Sequence, residues 1–344
     1  MAIIPEPQHT INNLIDKYHE SQQSPPRYHF GLSGIGEPCE RRLWYQFRWV
    51  VIEKFPGRIL RLFRRGHREE ETVIADLQAI GMVISEQQVN VNLGYGIQGS
   101  LDGIIESGVP QAPEKKHVLE IKTHSDKSFR SVKEKGVQES QPKHYAQMQA
   151  YMFATNIDRA LYVSINKNND EYYTERVRLD MAFAKKLIYK AGQIVSAEEP
   201  PPPISTDPSW YQCKMCPALA VCHQGKPSKE INCRTCVHST LKPSGMWQCE
   251  RWDTEIPKEI EQKGCRSHVI RPHLVPWKLM PEKSTKYTAC YVIDDQEVMV
   301  GEEGYTLSEV LSGGQLNNEI VDHVREVFDG EIIDGAETLP TKNN

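Results

Sequence analysis

The order of predicted helices and strands between residues 58 and 165 constrains the fold of this chain most strongly. Apolar residues recur at helical spacing in the first segment, and Gly, Pro and Asn residues separate the three strand-like runs that follow it. The segments are helix 58–80, strands 82–91, 96–106 and 116–123, helix 142–155 and strand 159–165, followed by a hairpin near 168–178 and helix 180–197. They predict an α/β fold with an αβββαβ core.

A run of four prolines, Pro200–Pro203, predicts where the first large domain ends. Such a run favours extended, stiff polyproline geometry, so 198–208 is expected to be a spacer. Cysteines dominate 213–265, 287–330 is expected to form a strand pair and a helix, and the tail from Leu339 is expected to fray. The predicted segments are a lead-in at 1–30, a main domain at 31–226, a cysteine-rich module at 227–275 and a small α/β region at 276–344.

Composition excludes several classes of protein. Apolar residues make up 39% of the 344 residues, which is enough for a core, and no apolar run reaches the roughly 18 residues of a membrane span. The first residues lack a basic region followed by an apolar one, so we expect a cytoplasmic rather than a secreted protein. Nine cysteines in such a chain indicate metal or redox chemistry rather than a disulfide framework.

Two carboxylates and a lysine lie on neighbouring predicted strands. Glu120 and Lys122 point to the same side of one strand because side chains alternate, and Asp102 lies on the strand before it. With an imidazole such as His67 nearby, these carboxylates offer hard ligands to Mg²⁺ or Mn²⁺, and the lysine could orient or deprotonate a water molecule. Singly, each feature has an ordinary explanation: a solvated Glu–Lys pair, a helix-surface histidine or a turn aspartate. The ordered set favours a metal-dependent site.

Further polar residues follow on the second predicted helix. Gln147 and Tyr151 are four positions apart, so both project from one helical face. The succession Gly66-His67, Asp102, Glu120-Ile121-Lys122 and Gln147-x-x-x-Tyr151 resembles the motifs of PD-(D/E)xK nucleases of the RecB-like branch, over residues 35–225. Ser100-Leu101 stands where the family name suggests a proline.

That resemblance implies roles for individual residues and for the protein. His67, Asp102 and Glu120 would hold Mg²⁺ or Mn²⁺ with the Ile121 carbonyl, and Lys122 would be the catalytic lysine. Gln147 and Tyr151 would support the site or contact the DNA backbone. The implied activity is a DNA nuclease, most simply an exonuclease, in recombination, repair or phage DNA processing in a bacterial cell.

The implied partners are DNA and a recombinase, helicase or single-strand-binding protein. The chain itself has no G-x-x-x-x-G-K-[ST] motif, so any unwinding would come from a partner. The alternatives are a non-catalytic DNA-binding or assembly protein that retains the nuclease fold with structural metals, and a zinc-only redox or regulatory module.

The charge distribution favours a polyanionic partner although the net charge is −5. Between Arg41 and Arg68 there are nine arginine and lysine residues against the single acid Glu53, with six Trp, Tyr and Phe residues among them. This mixture is typical of phosphate binding and base stacking, and Arg64 and Arg65 are expected to contact DNA beside the metal. The alternative is a solvated basic helix face.

The cysteine spacing permits two partitions. Cys213-x2-Cys216-x16-Cys233-x2-Cys236 fits a zinc ribbon, whereas Cys213-x2-Cys216-x5-Cys222 with the distant Cys39 supplies the four thiolates of a [4Fe–4S] cluster. The second partition is similar to the iron–sulfur subset of RecB-like nucleases, such as the AddB nuclease domain and the CRISPR adaptation nuclease. A cluster there would close a very long loop. Structural zinc at the same four residues is the main alternative.

The remaining cysteines then form a set of their own. Four thiolates, Cys233, Cys236, Cys249 and Cys265, are an economical tetrahedral Zn²⁺ site. One of His238, His268 and His273 could replace a cysteine. Cys290, in an apolar run, is expected to be a buried free thiol.

Overall fold

The structure is a computed structural model, and it describes residues 10–312. The chain forms two compact units. The first unit consists of the chain up to Pro38 together with Glu53–Val195, and the second of Cys39–Ile52 together with the chain from Ser196 onward. This division differs from the four predicted segments because Cys39–Ile52 packs with the C-terminal half. None of the helices in the described part combines the length and apolar character needed to cross a membrane.

The first unit is built on one mixed sheet, which confirms the α/β expectation. Its six described strands run in the order β1-β3-β4-β5-β6, with β2 on β3. Strand pairs β1/β3 and β4/β5 are parallel, and β2/β3, β3/β4 and β5/β6 are antiparallel. The strands are β1 (Phe30–Gly31), β2 (Val83–Asn92), β3 (Ile97–Ser107), β4 (His117–His124), β5 (Arg159–Asn166) and β6 (Tyr172–Arg178).

The helices of this unit agree with the periodicity of the sequence in all but one case. The helices are α1 (Ile11–Ser21), α3 (Gly57–Ala79), α4 (Asp126–Ser140), α5 (Pro142–Thr155) and α6 (Met181–Ser196). Helix α3 packs on the sheet through Val73, Ile74 and Leu77, which form a core with Leu119 and Ile121 of β4. Positions 73, 74 and 77 lie on one helical face, so this stripe sets the rotation of α3 against the sheet.

Helix α4 is missing from the sequence-based prediction. It buries Phe129, Val132 and Val137, which are too few and too far apart to give a helical pattern in a polar stretch. The helix is interrupted at Gly136, whose φ of +76° favours glycine. Tertiary contacts compensate for the interruption, since the Val137 N–H donates to the Glu175 carboxylate of β6 at 2.7 Å.

The second unit begins with helix α2 (Glu40–Phe47), which the sequence-based prediction also leaves out. Trp44, Tyr45, Phe47 and Trp49 are all buried there. The Trp44 indole N–H donates to the Ala197 carbonyl at 2.9 Å. These aromatic residues form the core of the unit, so the interpretation of them as base-stacking residues is wrong.

The rest of the second unit is made of short elements. They are α7 (Tyr211–Lys214), α8 (Leu219–His223), β7 (Ser239–Leu241), β8 (Trp247–Cys249), β9 (Thr254–Glu255), α9 (Lys258–Glu261), β10 (Lys278–Leu279), β11 (Thr288–Ile293), β12 (Gln296–Gly301) and α10 (Leu307–Leu311). Antiparallel pairing joins β7-β8-β9 in one small sheet and β10-β11-β12 in another. Strands β11 and β12 and helix α10 confirm the predicted strand pair and helix as far as residue 312. The prediction of a frayed tail from Leu339 lies outside the described residues.

Candidate active site

Strands β3 and β4 bring the two predicted carboxylates together. The two strands pair in antiparallel register as far as Gly103 and Leu119, and Asp102 and Glu120 are the next residues on each strand. Repulsion from Asp102 is one of the causes that raise the pKa of Glu120, so the two carboxylates lie within electrostatic reach of each other. The Ile121 N–H donates to Oδ2 of Asp102 at 2.7 Å, which fixes the orientation of that carboxylate.

Glu120 is fully buried and has polar partners on both oxygens. Gln147 on α5 donates its amide N–H to Oε2 at 3.0 Å, and the Lys122 ammonium forms an ion pair with Oε1. Nζ of Lys122 also donates to the Ile121 carbonyl at 3.2 Å, while 26% of its side chain stays exposed. Glu120, Lys122 and Gln147 are thus held together, and the lysine can reach solvent.

The electrostatics of this group favour a proton on the buried carboxylate. Burial raises the pKa of Glu120 to about 8, and neighbouring Asp102 adds to this against the opposing effect of Lys122. Burial lowers the pKa of Lys122, but Glu120, Asp102 and Glu70 outweigh it, so that the net direction is upward. The site therefore groups several carboxyl groups around the partly exposed Lys122 ammonium.

Helix α3 contributes Glu70, which the sequence-based prediction misses. Its side chain is 19% exposed, and burial followed by repulsion from Asp102 raises its pKa. His67 lies on the same helix with 76% of its side chain exposed, and its Nδ1 atom lies 3.6 Å from a Glu70 oxygen. The signal for Glu70 was present in the sequence: it lies three and four positions before Val73 and Ile74, on the same core-facing stripe.

Tyr151 supports strand β3 from within the core. It is fully buried, and its hydroxyl donates to the Ser100 carbonyl at 2.8 Å. A Cβ atom at Gly99 would come within 2.6 Å of the Tyr151 ring, so this close approach requires glycine. Of the two predicted roles of Tyr151, site support therefore fits its position, because a buried side chain cannot contact a DNA backbone.

A second buried network lies next to the carboxylates and is also absent from the prediction. The Tyr162 hydroxyl lies 2.7 Å from Nε2 of His124 and 3.0 Å from Nδ1 of His144. Burial, and then the charge of Lys122, lowers the pKa of His124 to about 4 and that of His144 to about 3. Both rings are therefore neutral at physiological pH and link β4, β5 and α5 through hydrogen bonds.

The arginines of the predicted basic run fall into two groups. Five arginines of α3, together with Leu62, line a groove of about 380 Å³: Arg58, Arg61, Arg64, Arg65 and Arg68. Arg61 forms an ion pair with Asp16, and Nη2 of Arg65 donates to the Lys167 carbonyl at 3.0 Å. In the second unit Arg48 is instead buried, and its Nη2 donates to the Ala197 carbonyl at 2.9 Å. The arginines of α3 thus line an exposed groove, whereas Arg48 is a buried structural residue.

The second unit brings the predicted cysteine sets together separately. Burial raises the pKa of Cys213, and the neighbouring thiols of Cys39 and Cys222 add to the shift; Cys216 also interacts with Cys39 and Cys222. Nη1 of Arg41 donates to Sγ of Cys222 at 3.7 Å. The other predicted set, Cys233, Cys236, Cys249 and Cys265, lines one small cavity. Nε2 of His273 instead lies 3.2 Å from a Glu199 carboxylate oxygen, and Cys290 is buried in β11 with a free thiol.

No metal ion is part of the structure. Within residues 10–312, no three His, Cys, Asp or Glu side chains are placed tightly enough to be the ligands of one ion as they stand. The predicted ligands are therefore neighbours in the fold without a closed coordination shell.

One family model matches part of the chain. Residues 66–158 match the model of the YqaJ-like viral recombinase domain. The YqaJ-like segment runs from Gly66 past Tyr151, so it contains every predicted active-site residue from His67 onward. It lies inside the range of the nuclease resemblance, and it does not bear on the iron–sulfur branch or on either cysteine set. No curated protein sequence matches the chain.

Two solved exonuclease structures are similar to part of the chain. An alkaline exonuclease from Laribacter hongkongensis is 15% identical, with a TM-score of 0.36 over 52% of this chain and 90% of that one. A phage-related exonuclease from Haemophilus somnus is 18% identical, with a TM-score of 0.25 over 37% of this chain and 64% of that one. Since both TM-scores are below 0.5, these likenesses carry no argument about the present chain.

Proposed function

We propose that the first unit hydrolyses phosphodiester bonds of DNA with the help of Mg²⁺ or Mn²⁺, and that it acts as an exonuclease. The observation that carries the proposal is the fully buried Glu120, which has Asp102 as an electrostatic neighbour and is held by Lys122 and Gln147. A buried carboxylate with a raised pKa and a specific charged neighbour is typical of a functional site rather than of a structural ion pair.

The donor set fits a hard divalent cation. Asp102, Glu120 and Glu70 offer carboxylate oxygens and Ile121 offers a carbonyl, and these are the ligand types that Mg²⁺ and Mn²⁺ prefer. Burial and the negative charge of neighbouring carboxylates raise the pKa of Glu120 and of Glu70. A bound cation would offset both the loss of hydration and the repulsion between the carboxylates. When bound, such an ion polarises the scissile phosphate and stabilises the leaving oxygen. His67 remains a further candidate ligand on the same helix as Glu70.

Lys122 and Gln147 have different roles in this proposal. The lysine ammonium is held by Glu120 and the Ile121 carbonyl and remains partly exposed, so it can orient the attacking water toward the phosphorus. Gln147 occupies the second oxygen of Glu120 with an N–H donor, which keeps that carboxylate in one orientation. Tyr151 maintains the position of β3 and with it Asp102.

The groove on α3 is the proposed path of the DNA backbone. Arg64 and Arg65 line it, and both belong to the helix that carries Glu70. Guanidinium groups along one groove can neutralise several phosphates without reading sequence. DNA is therefore the proposed substrate, and the match to a viral recombinase domain supports recombination or phage DNA processing in the cytoplasm of a bacterial cell. A recombinase, helicase or single-strand-binding protein is the proposed kind of partner.

The proposal includes a [4Fe–4S] cluster on Cys39, Cys213, Cys216 and Cys222; these cysteines lie within the proposed nuclease domain of residues 31–226 and belong to the second unit. The sequence resemblance and the mutual proximity of these thiols support this assignment. The Arg41 N–H donor directed at Cys222 suits a thiolate. The Cys39→Ala variant, purified anaerobically, should contain no iron, and its second unit should be less stable than that of the wild type. Full iron content in that variant, with iron lost instead from Cys233→Ala, would favour the ribbon partition.

The function is tested by digestion of end-labelled single- and double-stranded DNA. Wild-type protein should release nucleotides only when Mg²⁺ or Mn²⁺ is added, whereas Lys122→Met should release none. The matched control is Lys115→Met, which replaces an exposed lysine two residues before β4 and should cleave normally. Metal-dependent DNA binding without any cleavage by the wild type would instead indicate the non-catalytic DNA-binding protein.

A further inference from the structure

A small cavity in the second unit is lined by sulfur and imidazole side chains that the proposed nuclease chemistry does not use. Its volume is about 20 Å³, which holds a single small ion or water rather than an organic ligand. The metal-binding residue types on its wall are Cys233, Cys236, Cys249, Cys265, His238 and His268.

Two tight turns and a strand end bring the four cysteines to this cavity. The Cys236 N–H donates to the Cys233 carbonyl at 3.2 Å, and the His268 N–H donates to the Cys265 carbonyl at 3.0 Å. The first turn is capped by Asn232, whose side chain accepts from the backbone N–H groups of Arg234 and Thr235. Cys249 ends strand β8, where β7 pairs with it. Two short loops and a hairpin are a usual way of presenting thiolates to one tetrahedral ion.

The histidines provide a second, independent sign of a bound ion. His268 is 2% exposed and His238 is 8% exposed. Among residues 10–312, Nδ1 of His268 and Nε2 of His238 find no hydrogen-bond partner, although both rings line the cavity. A buried ring nitrogen without a partner is costly, and a metal-bound thiolate in this cavity would supply one. Nε2 of His268 lies 3.0 Å from the Thr235 hydroxyl, and in the tautomer in which Nε2 accepts from that hydroxyl the ring proton is on Nδ1.

We propose that Cys233, Cys236, Cys249 and Cys265 bind one structural Zn²⁺ ion, with His268 and His238 donating N–H groups to the thiolates. Zn²⁺ accepts four thiolates in a closed tetrahedral shell, and N–H donors around such a shell stabilise its charge.

The ion would hold together a unit that is assembled from distant segments. Arg234 lies between the first two cysteines, and its Nη1 donates to the Phe47 carbonyl at 2.8 Å. Its guanidinium carbon lies 3.7 Å from the centre of the Trp49 ring. Fixing the Cys233–Cys236 loop therefore fixes Arg234, and Arg234 anchors the segment Cys39–Ile52 within the second unit. Zinc binding and the attachment of this segment are thus coupled.

The test measures zinc and iron in the full chain purified without chelators. We expect about one zinc per chain in the wild type, and loss of most of it in Cys249→Ser and in Cys236→Ser. Cys290→Ser removes a buried thiol outside the cavity and should keep its zinc, so it is the matched control. His268→Gln should also keep its zinc, with faster release to a competing chelator. Nuclease activity need not be known for any of these measurements.

A second measurement covers variants that fail to fold. Cobalt replacing zinc in the wild type should give the intense visible absorption of a tetrahedral thiolate site, and Cys249→His should shift that spectrum while keeping a bound ion. Wild-type protein without zinc that also fails to take up cobalt would overturn the proposal. Full zinc in Cys249→Ser, or zinc lost from His268→Gln but kept in Cys265→Ser, would overturn the four-thiolate set.

Discussion

The two units bury charge in opposite ways. In the first unit, Glu120 is fully buried among other carboxylates, and Lys122 is the cation paired with it. In the second unit, Arg234 is equally buried, but Glu261 accepts from its Nε and Nη2 atoms at 2.8 and 2.7 Å, and aromatic rings cover its face. A buried carboxylate with a raised pKa and carboxylate neighbours is typical of a functional site, whereas a buried arginine paired with a carboxylate, such as Arg234, is typical of structural packing.

The largest expected effect is on cleavage and should leave stability intact. Asp102→Asn removes the charge of a proposed metal ligand, so the cleavage rate should fall by about three orders of magnitude or more. The free energy of unfolding should stay unchanged or rise, because the substitution relieves repulsion between carboxylates. Single-turnover cleavage and denaturant unfolding measure the two quantities. Cleavage at the wild-type rate would remove Asp102 from the site.

The second prediction concerns stability rather than cleavage, and it is expected in the second unit. Arg234→Met leaves Glu261 buried without its partner, which should cost about 3–5 kcal/mol of unfolding free energy. Arg251→Met is a matched control, since it removes an arginine whose pair with Glu302 is partly exposed, and its loss of unfolding free energy should be much smaller. Equal losses of unfolding free energy in the two variants would show that the buried pair of Arg234 and Glu261 contributes no more than a surface pair.

The third prediction concerns pH in the absence of added divalent ions. The folded pKa of Glu120, about 8, exceeds the ordinary value of 4.5, so the folded state holds a proton that the unfolded state releases. The stabilisation from this proton is present below pH 4.5 and is lost as the pH rises toward 8. Across this window the unfolding midpoint of Glu120→Gln should therefore rise relative to that of the wild type, while the lowered pKa values of His124 and His144 stabilise both proteins alike as the pH increases toward 6.5. A constant difference between the two midpoints across the window would place the titrating group elsewhere.

The smallest expected effect concerns the arginine groove. Arg64→Gln with Arg65→Gln should weaken DNA binding for all sequences alike and reduce the slope of log affinity against log salt by about one or two units. Lys185→Gln with Lys186→Gln on α6 removes the same charge from an exposed face outside the groove and is the control. An unchanged slope in the arginine variant would leave α3 with a solvated basic face.

Local sequence pattern was sufficient for most of the first unit. Apolar periodicity predicted α3, α5 and the strands from β2 to β5 to within about two residues, because each of these elements has a regular apolar face. Helices α2 and α4 escaped prediction since short polar helices depend on contacts from distant segments. The same limit applied to the aromatic residues of α2, whose pattern suits an exposed stacking surface as well as a buried core.

The sequence by itself determined that Glu120 and Lys122 share a face, since side-chain alternation along a strand is local. It also placed Asp102 on an adjacent strand and left two groupings of the cysteines open. Only the tertiary structure decided that Glu70 turns toward these carboxylates and that Cys233, Cys236, Cys249 and Cys265 line one cavity. Spacing along the chain constrains the relative positions only of residues that are close in sequence. Whether side chains from distant segments come into contact depends on how the whole core packs.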